Sequence, residues 1–225
     1  MPNPPKLLND DGSASMATAF LTSHHGFRRD IRLFAGVLGR ALGGETKRLA
    51  ALSEEWKRYR ETLHGHHTME DTALFPSIKQ QHPELAEVID GLLAEHRKID
   101  PLLEEGDRAF AELATELRPA VRVVGSLGGL LNSHLETEET HIVPFLRDAK
   151  GFPPPSNEAE LEMYAQGFAW SSHGIAEEVL EKLYELLSPE LRAKLPAARA
   201  AFAKRCEAVW GTSVAGSART PIPDL

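Results

Sequence analysis

The sequence predicts an all-α fold, an antiparallel up-down-up-down four-helix bundle with an added C-terminal helical hairpin. Three observations carry it. Apolar residues recur at helical spacing through long stretches, and strand-like alternation is missing. Glycine and proline breaks divide the stretches, and connections this short make neighbouring helices antiparallel. Finally, the string His66–Pro76 returns without a gap 68 residues later as His134–Pro144, so the bundle reads as two related hairpins.

Residues 1–13 are polar and proline-containing, with no apolar core of a signal peptide, and read as a disordered tail. The first helix runs from about Ala14 to Leu42. Phe20, Phe27, Ile31, Phe34, Leu38 and Leu42 fall in one arc that includes His24, and Gly43-Gly44 ends it. The second, from about Glu45 to Gln80, places Leu49, Leu52, Trp56, Tyr59, Leu63 and Leu74 on one face with His66, His67 and Glu70. After the His82-Pro83 break, the third begins near Glu84 and carries Ile89, Leu92, Leu93, His96, Ile99 and Leu103, with a kink expected at Pro101. Arg118-Pro119 separates it from the fourth, which shows Val123, Leu127, Leu130, Leu131, His134, Glu138, Ile142 and Phe145 at helical spacing.

These four helices make a bundle over residues 14–150. Gly151-Phe152-Pro153-Pro154-Pro155 reads as a stiff linker. A capping box at Asn157 and Glu160 opens a fifth helix to about Leu187, and Ser188-Pro189 opens a sixth to about Trp210. This hairpin, 151–211, is too small to stand alone and is expected to pack on the bundle. Residues 212–225 read as a second tail.

Composition narrows the function. A net charge of −8 without a basic cluster argues against nucleic acid, and no apolar run approaches the roughly 20 residues of a membrane span. The single cysteine, Cys206, excludes an intramolecular disulfide framework and suits a reducing cytoplasm.

The chemistry lies in the repeat. His66 and Glu70, like His134 and Glu138, are four residues apart and share a helix face, so each pair can address one ion. Imidazole with carboxylate suits iron, manganese or zinc. Helical rise places His24, His66, His96 and His134 within about two turns of one level across the three connections. Four imidazoles and two carboxylates inside an apolar bundle are costly unless paired, and a pair of cations relieves that cost. Without metal the same residues would form a buried polar network.

These strings resemble the hemerythrin family in its bacterial HHE cation-binding branch. The likeness is carried by His24-His25-Gly26-Phe27-Arg28-Arg29-Asp30, His66-His67-Thr68-Met69-Glu70-Asp71 with Leu74-Phe75-Pro76, Glu95-His96, and His134 with Glu138-Glu139. It spans about Phe20 to Arg147. The resemblance implies a non-heme diiron site of Fe–O–Fe type, with His24, His66, His96 and His134 as terminal ligands and Glu70 and Glu138 as bridges. Zinc or manganese remain alternatives on ligand chemistry. Oxygen carriers of the family place a second histidine one turn after the third-helix ligand, where this chain has Asp100. Either the Asp100 oxygen replaces that nitrogen or another histidine completes the shell; His67, beside His66 on the buried side, is the nearest candidate, and its other reading is a histidine that hydrogen-bonds to the site.

The resemblance implies a cytoplasmic protein that binds or turns over O2, peroxide or nitric oxide. If it is an enzyme, it is a diiron oxidoreductase of peroxidase, catalase or oxidase type. The alternatives are a diiron oxidase acting on a small organic substrate, and an iron or oxygen sensor without catalysis. His141 lies too far along the axis from His134 to be a ligand, His25 is expected at the rim, and Arg28 is expected to pair with Asp71 or Glu139. His173, midway along the fifth helix, is expected at the hairpin–bundle interface; its other reading is a gate, proton donor or fifth imidazole at the open end of the site.

Overall fold

The computed structural model describes residues 5–149 and 154–211, and no strand occurs among them. The chain runs through α1 (Met16–Leu42), α2 (Leu49–Met69), a π-helical turn (Glu70–Leu74), α3 (Phe75–Gln81), a 3-10 turn (Pro83–Leu85), α4 (Ala86–Ala111), α5 (Arg118–His141), α6 (Val143–Leu146), α7 (Glu158–Ser171), α8 (Glu177–Tyr184) and α9 (Pro189–Trp210). None of these helices is long and apolar enough to cross a membrane. Two compact units divide the described chain: one joins residues up to Arg29 with those from Ile142 onward, and the other holds Asp30–His141. Helix α1 contributes to both.

In the unit of residues 30–141, α4 packs against both α2 and α5. Its core far from the histidines is aromatic. Phe34 meets Trp56, Tyr59 and Phe110 edge-on, while Trp56 stacks on Phe110 at 4.4 Å and 8°. Trp56 donates its indole N–H to Asp107 Oδ1 at 3.0 Å, which satisfies the ring's one polar atom. The ring lies so close to α4 that a Cβ on Gly106 would fall 1.9 Å from Trp56 Cζ2; only glycine fits there.

The second helical stretch corrects one expectation. Its buried positions run 59, 63, 67, 70 and then 75, and the last step of five marks a π turn. Phe75 N–H bonds back to Glu70 C=O, five residues earlier. Pro76 explains it: an α-helical register would press its ring on the carbonyl of Thr72. Phe75 is therefore buried in place of Leu74, which is only half-buried. The corresponding Pro144 has a different outcome. There α5 ends at His141 and the short α6 begins at Val143. Helix α4 continues through Pro101.

In the other unit α7 packs against α9. Both N-terminal caps form as the sequence indicates. Asn157 accepts from Glu160 N–H, while Glu160 reaches back to Ser156 N–H, and Ser188 accepts from Leu191 N–H. The fifth helix is not continuous to Leu187. It stops at Ser171, turns through Gly174 at φ 89°, and resumes at Glu177. His173 therefore sits in a turn. The carbonyls freed by that stop are met by α1: Arg29 Nη1 donates to Trp170 O at 2.8 Å and to His173 O at 3.0 Å. His25 Nε2 donates to His173 O at 2.9 Å. His25 is thus 1% exposed and not at a rim.

Residues 5–13, expected as a tail, are held as well. Thr18 Oγ1 donates to Leu7 O, Arg147 Nη2 to Lys6 O, and Asn9 Nδ2 to Arg147 O. Backbone carbonyls are satisfied by distant donors, which local composition does not reveal. Residues 1–4, most of the expected linker and the 212–225 tail lie outside the described residues.

Candidate metal centre

In the unit of residues 30–141, the donor atoms of His67, Glu70, His96 and His134 lie within 4.8 Å of one another, and so do those of His66, Glu70 and Glu138. Glu70 belongs to both groups. Helix α2 supplies the two adjacent histidines, the π turn Glu70, α4 His96, and α5 His134 and Glu138. Glu70, His134 and Glu138 are 0% exposed. His67 and His96 are buried and His66 is nearly so. His24 stands fully buried on α1, with its ring 4.4 Å from that of Phe20.

Two carboxylates at the edge of the group set the histidine tautomers. His96 Nδ1 lies 2.7 Å from Asp71 Oδ1, and His134 Nδ1 lies 3.0 Å from Glu95 Oε2. An ionised carboxylate only accepts, so each imidazole donates its Nδ1–H outward. In the neutral rings that leaves Nε2 with a lone pair, aimed inward. The two Nε2 atoms face each other at 3.0 Å. Lone pairs at that separation repel unless a proton or a metal cation draws them together. His96 Nε2 also lies 3.6 Å from Glu70 Oε2, His134 Nε2 3.4 Å from Glu138 Oε1, and His66 Nε2 3.0 Å from Glu70 Oε1.

Burial governs the electrostatics. It lowers the His66 pKa from 6.5 to about 3, keeping the ring neutral and its lone pair available. Burial also lowers that of His96, against the opposing pull of Asp71. Glu70 and Glu138 are pushed well above the usual carboxylate range, first by burial, and Glu138 further by the neighbouring Glu70. Either Glu70 oxygen lies near an imidazole nitrogen, yet neither is in a hydrogen bond of ordinary geometry. Converging nitrogen lone pairs, two buried carboxyls and outward-donating Nδ1 atoms form a donor set that fits divalent transition metals.

The sequence-predicted residues divide as follows. His66, His67, Glu70, His96, His134 and Glu138 come together in one unit, while His24 belongs to the stretch of α1 in the other. Asp100, in the position of the family's additional histidine, is exposed and outside both donor groups; His67 is inside one of them. His141 and His64 are exposed. Sequence reasoning misses Asp71 and Glu95 as partners of the ring nitrogens. Each adjoins a proposed ligand along the chain, and that adjacency is the available signal.

A family model, the hemerythrin HHE cation binding domain, matches residues 15–155 of this chain. No curated protein and no solved structure matches it.

Proposed function

Because the chain belongs to the hemerythrin HHE cation-binding domain family, we propose that it is a non-heme diiron protein that binds or turns over O2, peroxide or nitric oxide. The observation that carries this reading is the 3.0 Å approach of His96 Nε2 to His134 Nε2, with both Nδ1 atoms directed at carboxylates. A neutral polar network would not bring two acceptors together beside two buried carboxyl groups.

In this reading His66, Glu70 and Glu138 hold one ion, with His24 assigned to it by the family motif and by its height along the first helix. His67, His96 and His134 would hold the second, and Glu70 and Glu138 would supply carboxylate donors to the pair. The bundle is the up-down-up-down arrangement of α1, α2–α3, α4 and α5, residues 14–150, with 151–211 as an accessory hairpin and the cytoplasm as its compartment. Two irons there would supply a redox centre that exchanges electrons with a small ligand.

The chain's own residues set the conditions. Asp71 and Glu95 orient the two rings and raise their basicity as donors. Glu70 and Glu138 would release their protons to solvent as cations bind, and the two carboxylates would then offset the positive charge. Burial of the donors excludes bulk water and limits access to small molecules, which supports O2, peroxide or nitric oxide over an organic substrate. A cavity of about 610 Å³ is lined by Ser53, Trp56, Arg60, Asp107 and Phe110 among others, none of them a proposed ligand.

The test is metal analysis with an optical spectrum. The parent should carry about two ions per chain, mainly iron. Glu70→Ala and Glu138→Ala should lose metal and thermal stability, whereas His141→Ala should match the parent. One tightly held zinc per chain, with no iron uptake on anaerobic loading, would refute the proposal.

A further inference from the structure

Phe75 is not a proposed ligand, and the π turn supplies only Glu70, yet both bear on another member of the ligand set, His96. The His96 ring is flanked by two near-parallel rings: His67 at 4.0 Å and 18°, and Phe75 at 5.8 Å and 16°. Asp71 takes its Nδ1–H at 2.7 Å. These three partners come from one continuous stretch, with His67 before the π turn, Asp71 within it and Phe75 just after. The π turn makes the arrangement. Its five-residue hydrogen bond brings Phe75 onto the buried side already held by His67 and Glu70.

The geometry points to a positioning device: the π turn forced by Pro76 sets Phe75 and Asp71 against His96, fixing the tilt and tautomer of that imidazole so that Nε2 faces Glu70 and His134. Phe75 is a positioning residue, acting through the ring it flanks. The second repeat lacks the device, because at Pro144 the helix stops and no π turn forms. The two proposed metal positions are therefore held unequally, and the one containing His96 depends on Phe75. This inference rests on reading His96 as a ligand, but its first half concerns the metal-free ring and can be tested without metal.

The experiment compares the parent with Phe75→Leu, which keeps an apolar side chain and removes the flat ring, and Asp71→Asn, which keeps shape and removes the charged acceptor. Phe34→Leu is the control, losing a buried ring from the remote aromatic cluster. Imidazole nitrogen NMR of metal-free protein should show His96 almost entirely with hydrogen on Nδ1 in the parent and in Phe34→Leu. Both test variants should populate the other tautomer. After anaerobic cobalt loading, a chelator should remove one of the two ions about 10-fold faster or more from the test variants, with the other leaving at the parental rate. A general loss of packing would instead destabilise all three variants alike and leave the tautomer unchanged.

Parental tautomer and release rates in Phe75→Leu would overturn the inference and leave the metal centre standing. A parent that takes up no cobalt, iron or zinc would overturn the metal centre; the tautomer comparison would then decide the positioning claim alone.

Discussion

Acid should unfold the metal-free protein by charging His66, and the size of the effect follows from burial. The folded pKa is about 3, against an ordinary value of 6.5. A folded value below the unfolded one means that the unfolded chain binds more protons between those limits, so stability falls as pH falls through 6.5 toward 3. One such ring costs about 2 kcal/mol at pH 5 relative to pH 8, and about 4 kcal/mol near pH 3. Glu70 and Glu138 act in the opposite direction. Their raised folded values contribute stability at low pH that is lost as pH rises through them. Comparing the parent with His66→Gln isolates the histidine. Urea midpoints in the presence of chelator, measured from about pH 8 to about pH 4.5, should converge between the two proteins on acidification. Parallel curves over that range would refute the argument that burial keeps His66 neutral.

Two further outcomes follow from the same packing. Metal loading of the metal-free protein at about pH 7 should release about one to two protons per chain, because the raised carboxyls must ionise to bind; titration calorimetry in buffers of different ionisation enthalpy measures this, and zero release would contradict it. Gly106→Ala should lower stability by about 1–3 kcal/mol, less the roughly 1 kcal/mol that alanine gains in a helix, because its Cβ meets Trp56. Gly91→Ala, at an open position on the same helix, should gain up to about 1 kcal/mol; equal denaturation midpoints for the two variants would rule out the tight Trp56 contact.

Much of the site is legible in the sequence because its chemistry is local. His66 with Glu70 and His134 with Glu138 are helix neighbours by spacing alone, and the repeat is enough to join the two pairs. Helical rise then places His96 opposite, where α4 presents it to α2 and α5. The outward carboxylates are not legible as such. Asp71 and Glu95 meet His96 and His134 across helices, and the side-chain directions that bring them there depend on how α2, α4 and α5 pack.

The repeat itself marks the boundary between what sequence determines and what tertiary structure decides. Periodicity, caps and breaks determine an all-helical chain with imidazoles and carboxyls at matched positions, since those signals act within a turn or two of helix. They also determine that Pro76 and Pro144, each following its carboxylate, must disturb the helix. How each disturbance resolves is not local. At Pro76 the π turn keeps the helix going and buries Phe75 against His96; at Pro144 the helix ends. Likewise Gly174 permits a stop after Ser171, but the stop is stabilised by Arg29 and His25, more than 140 residues away in sequence, which supply donors to its carbonyls. A backbone group freed by a helix break must find a partner, and only the folded chain determines which one lies within reach.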